Sequence, residues 1–144
     1  MDRQNNCCSP KPREKKQATC CGAGQVNTIL ACSGGSNVGQ ITNEIAKELD
    51  ASGEARFFCM AGVGGHVSGM IESVKGADKV IVLDGCPVAC GKKTMDAAGI
   101  TGYEHLVVTE LGVEKKHDFN LAPADVEKTR TAVRAKLGKS GCCG

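Results

Sequence analysis

Four cysteines, Cys32, Cys59, Cys86 and Cys90, form the pattern in this 144-residue chain that best supports chemistry. The first three follow short apolar runs, Val26 to Ala31, Arg56 to Phe58 and Lys79 to Leu83, and Cys90 follows Cys86 within one turn. Thiolates gathered this way suit a thiophilic metal. Zinc takes four ligands at tetrahedral corners, and four thiolates about 2.3 Å from the ion make a closed site. The interval between Cys86 and Cys90 places both on one side of a helix's first turn, where both can point at one ion. Helix-terminal thiols also suit redox chemistry, in which one sulfur attacks and another resolves.

The elements that must position these thiols are written in the same runs. Each run is short, rich in β-branched or aromatic residues and followed by a glycine-bearing turn, as a strand buried on both faces of a parallel sheet should be. After Cys32, Ser33-Gly34-Gly35-Ser36-Asn37 leads into Val38, Ile41, Ile45 and Leu49 at helical spacing, closed by Gly53. After Cys59, a second helix is predicted to carry Val67, Met70, Ile71 and Val74, closed by Gly76. Pro87 suits the first turn of a third helix, because its missing N–H is not needed there, and Gly99 ends it. Leu106 to Thr109 reads as a fourth strand, and Pro123 opens a last helix with Val126, Val133 and Leu137 inward.

Alternating strands and helices predict a single three-layer, Rossmann-like α/β domain. Its four-stranded, mainly parallel sheet has expected order 2-1-3-4, right-handed crossovers and helices on both faces. Ligands of such sheets lie beyond the carboxyl ends of the strands, where strand order reverses. That point falls between strands one and three, which carry Cys32 and Cys86, with Cys59 on neighbouring strand two. The helices opening there point N–H groups at the thiols, which favours negative charge and offsets the surplus of a four-thiolate zinc centre.

Ten cysteines could also mark a secreted, cross-linked scaffold, but 144 residues can bury a core without disulfides. The polar amino terminus resembles no signal peptide, and no apolar stretch approaches the roughly 20 residues of a membrane span. A cytoplasmic setting with reduced thiols is expected. The net charge of +2 is uneven: residues 1–25 carry five Lys/Arg against two Asp/Glu, and the remainder thirteen against fourteen. One tyrosine, no tryptophan and no basic stripe argue against a nucleic-acid partner. Residues 1–25 read as a disordered, cysteine-containing arm, 26–137 as the α/β metal-binding domain and 138–144 as a flexible Cys-Cys tail.

The segments Cys32-Ser33-Gly34-Gly35-Ser36-Asn37-Val38-Gly39-Gln40, Cys59-Met60-Ala61-Gly62 and above all Asp84-Gly85-Cys86-Pro87 with Cys90 and Lys92 resemble the DGC-domain family, named for its Asp-Gly-Cys motif. The resemblance covers about residues 26 to 112 and extends to the last helix. It implies a small bacterial or archaeal protein in which four cysteines bind zinc, matched here by Cys32, Cys59, Cys86 and Cys90. The chain departs from the family core in three vicinal pairs, Cys7-Cys8, Cys20-Cys21 and Cys142-Cys143. Adjacent thiols suit soft species such as trivalent arsenic, mercury, copper(I) or cadmium, and the hypothesis is that the tails collect such an ion for the core site.

The competing class is a thiol enzyme. The Cys32 loop resembles the nucleophile loop of low-molecular-weight phosphatases and related arsenate reductases, which pairs its amides with a bidentate arginine. That arginine is missing: before the last helix the predicted core holds only Arg56, at the wrong end of strand two. The remaining enzyme reading is a reductase or redox switch cycling Cys32 with Cys59, Cys86 or Cys90, and a metal-binding protein that is not an enzyme ranks above it. Gly62, Gly64 and Gly65 lack the G-x-G-x-x-G spacing and read as room for close backbone approach to the site. His66 reads as a helix-start residue or spare ligand, and Asp84 as the cap of the Cys86 helix. Lys92 and Lys93 read as solvent-facing or charge-softening cations, and Thr109 and Glu110 as one side of the rim.

Overall fold

The computed structural model describes residues 25–138. The arm and tail, with Cys7, Cys8, Cys20, Cys21, Cys142 and Cys143, lie outside the described residues. Four strands, β1 (Asn27–Ala31), β2 (Arg56–Phe58), β3 (Lys79–Asp84) and β4 (Glu104–Val107), form an all-parallel sheet in the order β2-β1-β3-β4. Ile29 stands opposite Phe57 on one side and Ile81 on the other, and Leu83 stands opposite Leu106. The two central strands are covered on both faces, so Ile29, Leu30, Ile81, Val82 and Leu83 are fully buried. This is why their sequences run apolar without alternation.

The helices are α1 (Asn37–Ala51), α2 (Met60–Gly64), α3 (Ser68–Lys75), α4 (Cys90–Ala97) and α5 (Pro123–Leu137), with a 3-10 turn at Val108–Leu111. Helices α1 and α5 cover one face, packing Val38, Ile41, Ile45, Leu49 and Val133 on Ile29, Ile81 and Leu83. On the other face α2, α3 and α4 bring Val63, Val74 and Met95 onto Leu30, Val80 and Val82. Each such side chain contributes about 1.5–3 kcal/mol by leaving water. Crossovers on opposite faces put the switch point between β1 and β3. Among the described residues, no helix is long and apolar enough to cross a membrane.

Four expectations need correction. The second helix is two: His66 is left-handed (φ 54°) between α2 and α3, in a stretch where Gly62, Gly64 and Gly65 each weaken helix by up to about 1 kcal/mol. Gly62 serves helix packing, since a Cβ there would meet Met70 Sδ at 1.9 Å, while Gly64, where a Cβ would meet Thr94 at 3.3 Å, also lines the cavity beside Cys59. The third helix begins at Cys90, not Pro87, and the fourth strand ends at Val107, its expected last residues forming the 3-10 turn.

Both described chain ends lie at the amino ends of the strands. Val26 exchanges hydrogen bonds with Asp78, its N–H donating to Oδ2 (2.7 Å) and its carbonyl accepting from N (3.2 Å). At the end of α5, the Lys136 carbonyl accepts from Lys79 Nζ, and Lys136 Nζ reaches Glu104 at 3.0 Å. The cysteines occupy the opposite pole.

Candidate thiol centre

Each thiol is set by the element it ends or begins. Cys32 extends β1 by one hydrogen bond, its N–H donating to the Leu83 carbonyl at 2.9 Å. Its Sγ accepts from Gly85 N at 3.3 Å and lies 3.8 Å from Thr42 Oγ1. The Thr42 hydroxyl donates to the Gly39 carbonyl at 2.6 Å, so a Cys32 S–H is the donor toward Thr42. Cys59 caps α2, its Sγ accepting from Gly62 N at 3.4 Å. Cys86 Sγ accepts from Lys115 Nζ at 3.4 Å. Cys90 is the first residue of α4. Cys32 and Cys86 are half-buried, whereas Cys59 and Cys90 are exposed.

Two cavities meet at this rim. One of about 280 Å³ is lined by Cys32, Cys86 and Cys90 together with Lys115 and His117. The other, about 410 Å³, is lined by Cys32, Cys59 and Cys90. Cys32 and Cys90 border both, so the four thiols form one continuous rim. As placed, no three His, Cys, Asp or Glu side chains among the described residues stand close enough to hold one metal ion. The four thiols are ligands of the kind zinc takes, but they are not placed around one point, and closing them on an ion would require the exposed Cys59 and Cys90 side chains to turn inward.

Asp84 organises the α4 side. Only 1 % exposed, its carboxylate accepts from Gly91 N (2.7 Å), Lys92 N (2.9 Å) and His105 Nε2 (2.9 Å). Two helix-terminal amides captured on one carboxylate start α4 at Cys90. The capping role expected of Asp84 is therefore present, one turn later than expected. Pro87 and Val88 lie in a turn closed by Ala89 N donating to the Cys86 carbonyl at 3.0 Å. Cys86 and Cys90 consequently do not share a helical turn, although both line one cavity. Left-handed residues flank two of the thiols, Ser33 (φ 47°) after Cys32 and Ala89 (φ 53°) before Cys90. Such a conformation costs a residue with a Cβ about 1 kcal/mol.

The α1 side is held by backbone packing and by Asn37. A Cβ on Gly39 would lie 2.4 Å from the Gly34 carbonyl oxygen, and one on Gly85 would lie 2.8 Å from Gly39 N, so the Cys32 and Cys86 loops both pack backbone to backbone on the first turn of α1. Buried Asn37 clips the loop after the 3-10 turn to α1. Its Nδ2 donates to the Glu114 carbonyl (2.9 Å), its Oδ1 accepts from Lys116 N (2.6 Å), and its N–H donates to the Lys116 carbonyl (3.1 Å). That clip delivers Lys115 and His117 to the thiols. Sequence reasoning missed Asn37, Lys115, His117 and His105, because partners 21 to 79 positions apart leave no local pattern.

The remaining expected rim residues divide. Thr109 N donates to the Gly85 carbonyl at 3.2 Å, joining the 3-10 turn to the Cys86 loop, while Glu110 is exposed. His66 is exposed at the α2–α3 break and lines neither cavity. Lys92 pairs with Asp96 at 2.6 Å. That bond, with a second from Tyr103 Oη, holds the Asp96 carboxyl below its usual range. Burial, with the Asp96 hydrogen bond next, pushes the Tyr103 hydroxyl up to about 12.

A family model described as the DGC domain matches residues 28–133, a span that includes all four strands and all four rim cysteines. The chain belongs to the DGC-domain family. The Anaerobic and virulence modulator AnvM of Pseudomonas aeruginosa is 34 % identical to it over 113 residues, which are 78 % of this chain and 86 % of that protein. No solved structure matches the chain. The matched DGC-domain span also contains Asn37, Asp84, His105, Lys115 and His117, so the supporting residues belong to the same unit as the thiols.

Proposed function

We propose that this DGC-domain chain binds one thiophilic metal ion, zinc in the first instance, through Cys32, Cys59, Cys86 and Cys90. The observation that carries the reading is the shared rim: Cys32 and Cys90 border both cavities, Cys86 completes one and Cys59 the other. Three of the sulfurs already accept an N–H, from Gly85, Gly62 and Lys115, and N–H···S bonds of this kind support metal-bound thiolates. Four sulfur ligands favour a structural or sensing role, since no position remains open for substrate. The vicinal pairs of the arm and tail, as soft ligands for arsenic, mercury, copper(I) or cadmium, would supply such ions to this rim.

The test is the metal content of full-length protein purified without added metal, in wild type and in Cys→Ser variants at the four positions. One equivalent in wild type and its loss in each variant is expected. Retention of a full equivalent by all four variants refutes the site.

A thiol redox enzyme is the second reading, favoured by the single cavity that Cys32, Cys86 and Cys90 line together. It requires a discrete disulfide between Cys32 and another core cysteine after diamide treatment, read by peptide mass mapping. Fully reduced core cysteines after such treatment dispose of it.

A further inference from the structure

The cavity on the Lys115 side carries more than the three thiols of the proposed metal centre. Its wall carries two groups able to bear positive charge, Lys115 and His117. An ammonium on the outer side of Cys86, 3.4 Å from its sulfur, repels a divalent cation approaching from that side and attracts an anion. The one carboxylate of the lining, Asp84, is spent on Gly91 N, Lys92 N and His105. Among the described residues, no second carboxylate lines the cavity. The remaining lining is thiol, small residues and loop backbone, among them Gly34 and Gly35, at which a Cβ would meet nothing within 4 Å.

The backbone that carries Lys115 is tied to the fold. Asn37, 5 % exposed, makes three hydrogen bonds that fix residues 114–116 to the start of α1, a tie across 77 to 79 positions of chain. On the facing side, the Gly39–Gly85 backbone contact fixes the floor. A preformed cavity of about 280 Å³ lies just under the range of ordinary small-molecule pockets, roughly 300–1,000 Å³, and so suits a ligand of few atoms.

We propose that this cavity is an anion site at the thiol rim and that its ligand is a small inorganic oxyanion, with Lys115 Nζ as its cation and His117 as a further polar group of the wall. The site shares Cys32, Cys86 and Cys90 with the proposed metal centre, so the oxyanion is a ligand of the metal-free rim. The site needs no metal, and it supplies the cation that the sequence around the Cys32 loop lacks. Lys115 takes the place of the missing arginine as a point charge rather than as a bidentate fork.

The experiment is an amide NMR titration of the full-length, reduced, metal-free protein with inorganic phosphate and inorganic sulfate. Saturable shifts of the Gly34, Gly35 and Gly85 amides are expected. Lys115→Gln should weaken binding about tenfold, as loss of one charge-assisted hydrogen bond does. Lys115→Arg should keep affinity within a few-fold. Lys47→Gln, which removes an exposed lysine paired with Glu44 at 2.8 Å on α1, should bind like wild type. Lys115 is itself exposed, so its replacement leaves the thermal midpoint unchanged and a lost signal cannot be laid to unfolding. Shifts that never saturate, or that weaken equally in Lys115→Gln and Lys47→Gln, overturn the proposal. Because no metal is present, this outcome is independent of whether the four thiols bind zinc.

Discussion

Replacing Asp84 by Ala tests whether one carboxylate sets the start of α4 and with it the position of Cys90. The buried side chain accepts three hydrogen bonds, two of them from backbone N–H groups of Gly91 and Lys92 that have no carbonyl four residues back. Loss of a helix cap costs about 1 kcal/mol, and a bond to a buried charged acceptor about 1.5–3 kcal/mol. Counting each contact once, the two amide bonds at about 1.5 kcal/mol each and the His105 bond at about 1 kcal/mol sum to about 4 kcal/mol. Domains of this size hold about 5–15 kcal/mol in total, so the variant should fold but only marginally. Urea unfolding followed by circular dichroism reads this directly: with a slope of about 2 kcal/mol/M, the midpoint should fall by about 2 M. His105→Gln removes one partner and leaves both amides bound, so about 1 kcal/mol is expected. If Asp84→Ala costs under about 1 kcal/mol, or no more than His105→Gln, the capping account of α4 is wrong.

Gly39→Ala drives a methyl group into the Gly34 backbone and should destabilise by about 2 kcal/mol, the usual range for overpacking against atoms that cannot swing aside; an unchanged midpoint refutes the backbone contact. Ala89→Gly relieves a left-handed residue at the cost of chain entropy, for a net gain of about 0.5 kcal/mol by thermal melting, and a loss there contradicts the strained turn. Tyr103 is the only tyrosine in a chain without tryptophan, so absorbance near 295 nm follows it alone. With its hydroxyl pushed up to about 12, roughly a tenth should be ionised at pH 11, against roughly nine-tenths for an ordinary tyrosine near 10. Asp96→Asn removes the carboxylate that accepts its proton and should bring the titration back toward the ordinary value.

The fold could be read from the chain because its central strands are buried on both faces. Residues such as Ile29, Leu30, Ile81 and Val82 had to be apolar in succession, and a run of that length bounded by glycine is unambiguous. The thiol positions followed from strand ends, which is why Cys32, Cys59 and Cys86 could be placed at one pole before any coordinates. The Cys90 helix could not be placed as well. Pro87 permits a helix start but does not compel one, and the deciding bonds run from Asp84 to amides seven and eight residues on. Nor could the α2–α3 break, where apolar spacing continued across Gly65 and His66 while backbone cost prevailed. Lys115 looked like one more solvated lysine. What distinguishes it is the Asn37 clip, formed by a side chain and a loop that meet only in the folded chain.

Both described chain ends leave from the pole opposite the thiols, and this constrains any traffic between the tails and the rim. Cys143 stands five residues beyond Gly138, at most about 18 Å of extended chain. The six residues of β3 alone span about 20 Å, before the loops that carry the rim. The carboxyl-terminal pair is thus too short a leash to hand an ion across its own molecule. If the pair takes up an ion as proposed, the ion can reach only the rim of a neighbour, and its transfer rate would rise with protein concentration.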